Sequence, residues 1–285
     1  MSRIAYVNGR YLPHSEAKVS IEDRGFQFAD GVYEVCEVRG GRLVDERRHM
    51  ARLDRSLSEL RIARPMSAAA LSIVLRETVR RNRVRDGIVY LQITRGAARR
   101  DFPFPSPVIR PTVVVTARSN DLARLEQMAT DGIAVVTVPD IRWQRVDIKS
   151  VALLPNVLAK QAARDHGAYE AWYVDPDGFV PEGPSSNAWI VTKDGRVVTR
   201  SADHGILAGI TRAVLMEVME ALQIKLEERP FTPAEAQQAA EAFVTSASQI
   251  VMPVVAIDGQ TVGNGEPGGI AKRLREEFHR FSAFS

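Results

Sequence analysis

The spacing of the apolar residues divides this chain into two blocks. In each block, segments with the apolar spacing of a strand alternate with segments that have the apolar spacing of a helix. In the first block, Asn8-Gly9 lies between two β-prone runs, a combination typical of a type I′ hairpin. Ser67 precedes a run of helical spacing and is a suitable N-cap. The elements predicted for this block are the first hairpin, a strand pair that turns at Gly40-Gly41, helices over 45–62 and 67–82, and strands over 88–94 and 111–117.

A proline-rich stretch, GAARRDFPFPSPVIRP (96–111), lies between the last two strands and predicts a long loop, because four prolines interrupt any ladder or helix. The second block begins near residue 119. Its predicted elements are helices near 121–130, 155–166, 210–223 and 267–281, and strands over 132–138, 142–148, 169–174, 187–191, 241–245 and 250–257. With 285 residues, this alternation predicts an α+β protein with an N-terminal lobe, 1–118, and a C-terminal lobe, 119–285.

The composition is that of a globular protein and argues against several classes of function. The 38 basic residues are interspersed with 35 acidic ones, so the formal charge is only +3 and a nucleic-acid-binding surface is poorly supported. No run of 18 apolar residues predicts a membrane span. Cys36 is the only cysteine, which excludes an internal disulfide, and the histidines show no metal-ligand spacing. We therefore predict a cytoplasmic protein without a metal, a membrane anchor or a nucleic-acid partner.

One lysine stands out within DIRWQRVDIKSVALLPN (140–156), a segment that otherwise carries its positive charge on arginine. Only six of the 38 basic residues are lysines. If 142–148 is a strand, Lys149 closes the polar row of that strand, just before an apolar stretch. A lysine amine there can form a Schiff base, which arginine cannot do. Spacing alone favours an ordinary surface lysine at the end of an element, and the reactive lysine stays open as the alternative.

Two other segments have a composition that suits ligand binding. Glu182 stands at a turn in VPEGPSSNAWIV (180–191), where one inward carboxylate can hold a proton or act as an acid or base. In HGILAGITRAVLMEVM (204–219), Ile210-Thr211 opens an amphipathic helix after two glycines. Free N–H groups, a hydroxyl and the helix dipole make that start a candidate site for a monophosphate. A solvated turn and an ordinary helix start remain the alternatives.

Seven segments together resemble the class IV aminotransferases, the fold-type IV pyridoxal phosphate enzymes, and most closely their D-amino acid aminotransferases. The resemblance extends from about residue 3 to 280. The segments are EDRGFQFADGVYEV (22–35), HMARLDRS (49–56), TRG (94–96), DIRWQRVDIKS (140–150), EGPSSN (182–187), LAGITR (207–212) and FVTSAS (243–248). The resemblance implies the two-lobe fold of that family and pyridoxal 5′-phosphate as cofactor.

The resemblance also assigns a role to each candidate cofactor residue. Lys149 matches the lysine that carries the cofactor as an aldimine and moves the substrate proton, and Glu182 matches the carboxylate that pairs with the pyridine nitrogen. Arg52, Ile210 and Thr211 match the phosphate-binding groups. The remaining matches are Leu207 on the ring face, Ser185 beside Glu182, and Ser246 and Ala247 near the phosphate, where the family often has threonine in place of Ala247.

Substrate recognition is where the sequence departs from the family. In the D-amino acid enzymes a tyrosine, an arginine and a histidine bind the substrate carboxylate, the last two from a loop of the neighbouring subunit. Tyr33 and Arg100 match, but Phe102 stands in the place of the histidine. The resemblance thus implies a homodimer whose 96–111 loop contributes to the neighbouring site, with a carboxylate site that has lost one donor and gained an apolar face.

The implied reaction is ping-pong transamination between a D-amino acid and a 2-oxo acid, either 2-oxoglutarate or pyruvate. Alternatives on the same fold are an (R)-amine transaminase, a branched-chain L-amino acid transaminase and an aminodeoxychorismate lyase. Arg100 within RRDF favours the D-specific pattern over the last two. From a different class, the arginine content suits a nucleic-acid-binding module, which predicts strongly salt-dependent retention of DNA or RNA.

Overall fold

The strands and helices of the chain form two units in the structure, a computed structural model that describes residues 3–203 and 205–285. The first unit comprises the chain up to Asp121 together with Ile148–Ala152 and Ala283–Ser285. The second comprises Leu122–Asp147 and Leu153–Ser282. The chain therefore returns to the first unit twice.

The first unit is built on a six-stranded sheet of order β2-β1-β6-β5-β3-β4. All of its neighbouring strands are antiparallel. Asn8 and Gly9 adopt φ values of 48° and 98°, so the predicted type I′ hairpin is confirmed. The elements are β1 (Ile4–Val7), β2 (Arg10–Pro13), α1 (Arg24–Phe28), β3 (Gly31–Arg39), β4 (Arg42–Leu43), α2 (Glu46–Glu59), α3 (Ala68–Arg81), β5 (Gly87–Thr94) and β6 (Thr112–Ser119).

The two long helices of this unit pack their apolar faces on the sheet. Leu53 and Leu57 of α2 join Leu71 and Leu75 of α3 in one buried cluster with the inward residues of β3, β5 and β6. The Ser67 hydroxyl accepts from the amide of Ala70 at 3.2 Å, which confirms the predicted cap. The 96–111 stretch contains no helix or strand, so the predicted long loop between β5 and β6 is also confirmed.

Backbone pairing explains why two distant segments belong to the first unit. The amide of Tyr33 donates to the carbonyl of Lys149 at 3.0 Å, and the amide of Val151 donates to the carbonyl of Gly31 at 3.0 Å. Residues 283–285 pair in the same way with 43–45 beside β4. Lys149, which the predicted boundary places in the C-terminal lobe, 119–285, therefore belongs to the first unit, because its backbone bonds are made with β3.

The second unit is built on an eight-stranded sheet of order β11-β10-β9-β12-β13-β7-β8, with β14 paired to β13. It is mixed, since the pairs β10/β11, β7/β13 and β7/β8 are parallel. The elements are α4 (Leu122–Asp131), β7 (Ile133–Pro139), α5 (Leu154–Asp165), β8 (Glu170–Val174), β9 (Asn187–Val191), β10 (Val197–Thr199), α6 (Ile210–Ala221), β11 (Leu226–Glu228), α7 (Pro233–Gln237), β12 (Glu241–Ser246), β13 (Ile250–Ile257), β14 (Gln260–Thr261) and α8 (Gly269–Phe281).

The core of the second unit lies on both sides of β8. Trp172 packs edge-on against Phe231 within one apolar cluster, whereas Tyr173 points into a second cluster with Ala159 and Ala163 of α5. This opposite placement of neighbouring residues is the normal alternation of a strand that is buried on both faces. No helix within residues 3–203 and 205–285 has the length and apolar character needed to cross a membrane.

The strand predicted over 142–148 is wrong, because this segment consists of bends and turns. Asp140 accepts from the amide of Arg142 at 3.1 Å and from its guanidinium at 2.9 and 2.7 Å. Arg145 pairs with Asp147 in the same way, at 2.9 Å. Such local side-chain bonds compete with a ladder and fold the backbone into turns. The sequence analysis also missed the short elements α1, α7, β10, β11 and β14.

Candidate active site

Lys149 lies beside the start of β3, where backbone pairing fixes its position. Its Nζ is 4.3 Å from the centroid of the Tyr33 ring, and that ring stacks on Tyr90 with centroids 5.7 Å apart. The amide of Lys149 donates to the hydroxyl of Ser56, in α2, at 3.3 Å. A cation–π contact of this kind favours a defined position of the amine over the ring. Lys149 therefore has an ordered, partly buried environment rather than that of a solvated surface lysine.

A buried ionic cluster lies on the β3 and α2 side of the same unit. Nε and Nη2 of Arg52 both donate to the Glu34 carboxylate at 2.8 Å, and Nδ1 of His49 is 2.8 Å from the same carboxylate. Burial alone would raise the pKa of Glu34, but the charge of Arg52 and the hydrogen bonds of both partners hold it well below its ordinary value. Burial lowers the pKa of His49 and outweighs the opposing effect of Glu34.

The 96–111 loop presents the other predicted substrate residues of the first unit. The guanidinium of Arg100 lies 5.1 Å from the centroid of the Phe28 ring, and the Phe102 ring is 5.5 Å from the same ring. Arg100 and Phe102 are thus brought together on α1. The side chain of Phe102 is 78% exposed, and Phe26 of α1 and Val108 of the same loop are exposed to a similar degree, so several large apolar side chains of these two segments face outward.

The central feature of the second unit is the buried carboxylate of Glu182. It accepts from Nη1 of Arg142 at 2.5 Å, from Nδ2 of Asn187 at 3.0 Å and from the amide of Leu207 at 3.2 Å. Burial disfavours the charge of Arg142, yet the hydrogen bonds to Asp140 and the charge of Glu182 raise its pKa. The carboxylate therefore accepts hydrogen bonds from one permanent cation and two neutral donors.

Ser185 is close to Glu182 in sequence, but its hydroxyl hydrogen-bonds to a different carboxylate. Its hydroxyl donates to Glu170 at 3.0 Å, and Ser186 donates to the same oxygen at 3.2 Å. Glu170 is completely buried and pairs with Nζ of Lys160 at 2.9 Å. This cluster ties the turn after Glu182 to β8 and α5.

The remaining predicted cofactor residues lie at the start of α6 and in the turn after β12. Ile210 and Thr211 are the first two residues of α6, behind Gly209, an N-cap without a side chain. Ser246 ends β12, and Ala247 follows in the turn, where the Oγ atoms of Ser246 and Ser248 are 3.4 Å apart. The α6 start supplies backbone N–H groups and the positive end of a helix dipole, which suit an anion.

Comparison with known proteins identifies the family. The model of the family "Amino-transferase class IV" matches residues 31–257, which is most of the chain. The chain belongs to the class IV aminotransferases. The D-alanine aminotransferase of Staphylococcus haemolyticus is 40% identical over 277 residues, covering 97% of this chain and 96% of that protein. The D-alanine aminotransferase of Bacillus licheniformis is 41% identical over 268 residues, with 94% and 93% covered.

Solved aminotransferase structures confirm the α+β fold. A branched-chain amino acid aminotransferase from T.th., solved with pyridoxamine 5′-phosphate, superposes with a TM-score of 0.89 at 26% identity, covering 98% of this chain and 94% of that one. The enzyme of Thermoproteus uzoniensis with norvaline superposes with a TM-score of 0.85, also at 26% identity, covering 98% and 94%. The predicted fold class of this class IV aminotransferase is thus confirmed.

The sequence analysis missed several residues that this aminotransferase places next to the predicted ones. Glu34 and His49 form the cluster with Arg52, and Arg142 and Asn187 hold Glu182. One signal was available: His49 and Arg52 are three residues apart in α2 and therefore share a helix face. No comparable signal indicated Arg142, because its segment was predicted as a strand with this side chain on the face opposite Lys149.

The buried cluster around Glu34 makes the stability of the enzyme depend on pH. Because the folded-state pKa of His49 is lowered, its contribution is complete above the unfolded value of 6.5 and declines below it. Because the folded-state pKa of Glu34 is also lowered, its contribution is complete above 4.5 and is lost as the pH falls further. We expect the free energy of unfolding to decrease from pH 7 downward and to keep decreasing below pH 4.5, where Glu34 adds its contribution.

Urea unfolding at a series of pH values measures this effect. Glu34→Gln should cost about 3–5 kcal/mol at pH 7, since it leaves Arg52 buried without its counter-charge, and should flatten the acid limb. Glu16→Gln, at an exposed position, is the matched control and should leave the curve unchanged. An acid limb of equal slope in Glu34→Gln and the parent would show that Glu34 does not cause it.

Proposed function

We propose that this class IV aminotransferase transfers the amino group of D-amino acids to a 2-oxo acid, 2-oxoglutarate or pyruvate, with pyridoxal 5′-phosphate as cofactor. The observation that carries the proposal is the identity of about 40% with D-alanine aminotransferases over 97% of the chain. The solved branched-chain enzymes are less similar in sequence, at 26%. Identity over the full length favours the D-amino acid activity over the branched-chain L-activity.

The chemistry of the buried groups fits pyridoxal phosphate. The chain offers one ordered lysine amine over Tyr33, one buried carboxylate paired with Arg142, and a helix start behind Gly209 with backbone donors. When bound, this cofactor supplies an aldehyde that exchanges a lysine amine for the amine of the substrate, and a pyridinium ring that withdraws electrons from the substrate α-carbon. An amine, an anion and an anion-binding helix start are the three types of group that such a molecule requires.

Each of the chain's groups then has a defined task. Lys149 would hold the cofactor through its amine, and the same amine, when free, would take up and give back the α-proton of the substrate. Glu182 accepts the hydrogen bond of the pyridinium and keeps that nitrogen charged. Arg52 and the α6 start bind the phosphate. Further donors to the phosphate come from the amides of Ile210, Thr211 and Ala247, the Thr211 hydroxyl and Ser246. Leu207 packs on the ring of the cofactor. Ser185 supports the turn after Glu182.

The substrate carboxylate is bound by Tyr33 and Arg100 in this proposal, and Phe102 determines the preference for side chains. Phe102 provides no hydrogen-bond donor and exposes a large apolar face. A site that lacks one polar contact loses some affinity for small D-amino acids such as D-alanine, and an aromatic face favours bulky ones. The chain is therefore proposed to accept larger D-amino acids than a site with histidine at this position.

Phe102→His tests this assignment. We expect the ratio of kcat/KM for D-alanine over D-phenylalanine to rise by about tenfold, because an imidazole donor is gained and an apolar contact is lost. Phe281→His, on an exposed aromatic of α8 outside this loop and α1, serves as the control and should leave the ratio unchanged. An unchanged ratio in Phe102→His would remove Phe102 from substrate selection.

We further propose a homodimer in which the 96–111 loop reaches the neighbouring site. Ile21, Phe26, Phe102 and Val108 are each more than 70% exposed, and all lie in or near this loop or α1. Exposed apolar side chains in such number mark a protein interface. Light scattering should give twice the chain mass of 31.5 kDa. A monomer at micromolar concentration would contradict this part of the proposal.

We also propose that the protein works in the cytoplasm. Its single cysteine, Cys36, is buried and forms no disulfide within the chain, which suits a reducing compartment.

A donor panel tests the proposed function against its alternatives. The holoenzyme is supplied with 2-oxoglutarate and with D-alanine, D-phenylalanine, L-leucine, L-isoleucine or (R)-1-phenylethylamine, and amino transfer is followed by chromatography. Pyruvate is tested as the acceptor with every donor except D-alanine, for which the exchange gives no net product. We expect transfer from the D-amino acids at least about 10²-fold faster than from L-leucine or L-isoleucine. Preferred transfer from L-leucine would indicate a branched-chain enzyme, and preferred transfer from the amine an (R)-amine transaminase. Release of pyruvate from aminodeoxychorismate without an acceptor would indicate the lyase.

A further inference from the structure

The tip of the 96–111 loop is held by one buried arginine of α1. Arg24 is 4% exposed, and its Nη1 and Nη2 donate to the backbone carbonyls of Asp101 and Phe102 at 2.5 and 3.1 Å. Its Nε donates to the carboxylate of Asp30 at 2.8 Å. One guanidinium therefore joins two consecutive loop residues to a fixed anion. This arrangement uses the planar fork of arginine on three acceptors at once.

The same Asp30 carboxylate also binds Arg95, the residue that directly precedes the 96–111 loop. Nε of Arg95 donates to Oδ2 at 2.7 Å and Nη2 to Oδ1 at 3.0 Å. Arg95 is tied to the end of α2 by bonds to the carbonyls of Leu60 and Arg61 at 2.7 and 3.0 Å. We call this group of three residues, Arg24, Asp30 and Arg95, the arginine clamp. All three are largely buried, and the shared carboxylate couples the two arginines.

The clamp also contacts the aromatic side chains of the loop and of α1. The guanidinium of Arg95 lies 3.7 Å from the centroid of the Phe104 ring. Arg24 lies 4.8 Å from the centroid of Phe28, the ring that Arg100 and Phe102 also contact. The clamp thus holds residues 101, 102 and 104 directly and orders the ring on which Arg100 rests.

We propose that the arginine clamp is a positioning device that fixes Arg100 and Phe102 for recognition of the carboxylate of an amino acid or a 2-oxo acid. This inference rests on the proposed function, which assigns carboxylate binding to the loop. The clamp itself touches the loop backbone and not the substrate. Its loss therefore weakens substrate binding while the groups that bind the cofactor remain intact. Because the loop contains no strand or helix, the clamp supplies side-chain hydrogen bonds where no regular secondary structure holds the backbone.

Arg24→Lys tests the proposal because lysine retains the charge beside Asp30 but loses the planar fork that spans two carbonyls. We expect KM for both D-alanine and 2-oxoglutarate to rise by about tenfold, with kcat within about twofold, since the misplaced loop loses charged hydrogen bonds to the substrate. Asp30→Asn, which weakens both arms of the clamp, should show the same pattern. Arg118→Lys, at an exposed position of β6, is the matched control and should match the parent.

Two readouts that do not depend on turnover accompany the kinetics. Hydrogen exchange of peptides covering 97–108 should be faster in Arg24→Lys and Asp30→Asn than in the parent and in Arg118→Lys. Affinity for pyridoxal 5′-phosphate and the absorbance of the holoenzyme should stay at the parental values. A change in cofactor affinity with an unchanged loop would mean that the clamp acts on the fold and not on the loop, and would overturn the proposal.

The outcomes also separate this inference from the proposed function. Faster loop exchange with KM unchanged, or unchanged exchange with KM raised, overturns the positioning role. If the parent transfers no amino group from any donor, the proposed function fails, and the substrate role of the clamp fails with it. In that case the exchange measurements still decide whether Arg24 and Asp30 hold the loop.

Discussion

Replacing Lys149 with alanine is expected to reduce transamination by about 10⁴-fold or more while the protein stays folded. The variant removes both the amine that binds the cofactor aldehyde and the base that moves the substrate proton. Lys149→Arg should be as inactive, because a guanidinium can retain the contact with Tyr33 but cannot form the bond or release its proton at neutral pH. Steady-state rates with D-alanine and 2-oxoglutarate measure the loss.

The control for this experiment is Lys193→Ala, at an exposed lysine of the second unit, which should retain parental activity. Absorbance distinguishes loss of the covalent link from loss of the cofactor. In Lys149→Ala the cofactor should remain bound with the spectrum of the free aldehyde, and added methylamine should restore part of the activity. A Lys149→Ala variant with more than one tenth of the parental rate would exclude this lysine from the chemistry.

Glu182→Gln is expected to reduce kcat by about 10²-fold, the effect commonly seen when one preorganised electrostatic contact is removed. The amide retains the volume of the carboxylate but not its charge, and it brings an NH₂ group towards the donors Asn187 and Leu207. A pyridinium proton without an anionic partner is less firmly held, so the electron-withdrawing form of the cofactor is less populated. KM for the substrates should change little.

The matched control is Glu220→Gln, on the exposed face of α6, which should leave kcat unchanged. Thermal unfolding of both variants shows whether lost activity reflects lost structure. Arg142 retains Asp140 as a partner in Glu182→Gln, so we expect only a modest decrease in Tm. A kcat within twofold of the parental value would contradict the assignment of Glu182 to the pyridinium.

The features that were predictable from the sequence are governed by local interactions. The hairpin at Asn8-Gly9 follows from the left-handed conformations that these two residues tolerate, and α3 begins where Ser67 can cap it. Helices with a clear apolar face, such as α2, were predicted within a few residues. In each case the decisive contacts lie within a few residues of one another in sequence.

The failures arose where a distant or a side-chain interaction decides the structure. The segment 142–148 has alternating polarity, but Asp140 and Asp147 bind the neighbouring arginines and fold it into turns. The pairing of Lys149 with β3 depends on backbone bonds between segments far apart in sequence, which periodicity does not reveal. The lysine was therefore predicted in the wrong lobe, although its chemical importance was inferred.

The candidate site was predicted only in part, and the predicted residues have a different role from the missed ones. Resemblance to the family supplied Lys149, Glu182 and Arg52, which bear distinctive motifs. It did not supply Arg142, Asn187, Glu34 or His49, which orient those groups through hydrogen bonds that form only in the folded chain. The arginine clamp was missed for the same reason, because its members are close neighbours only after folding.

The most direct test of the central claim is a single half-reaction of the purified holoenzyme without an acceptor. Enzyme at a concentration above about 10 µM is mixed with D-alanine or with L-alanine. Each alanine is added in large excess, above the usual range of KM values, so that the enzyme is saturated. The pyruvate formed is then quantified. We predict one pyruvate per Lys149 with D-alanine, a simultaneous loss of the cofactor absorbance band, and at least about 10²-fold slower conversion with L-alanine. Equal conversion of both enantiomers, or faster conversion of L-alanine, would contradict the account.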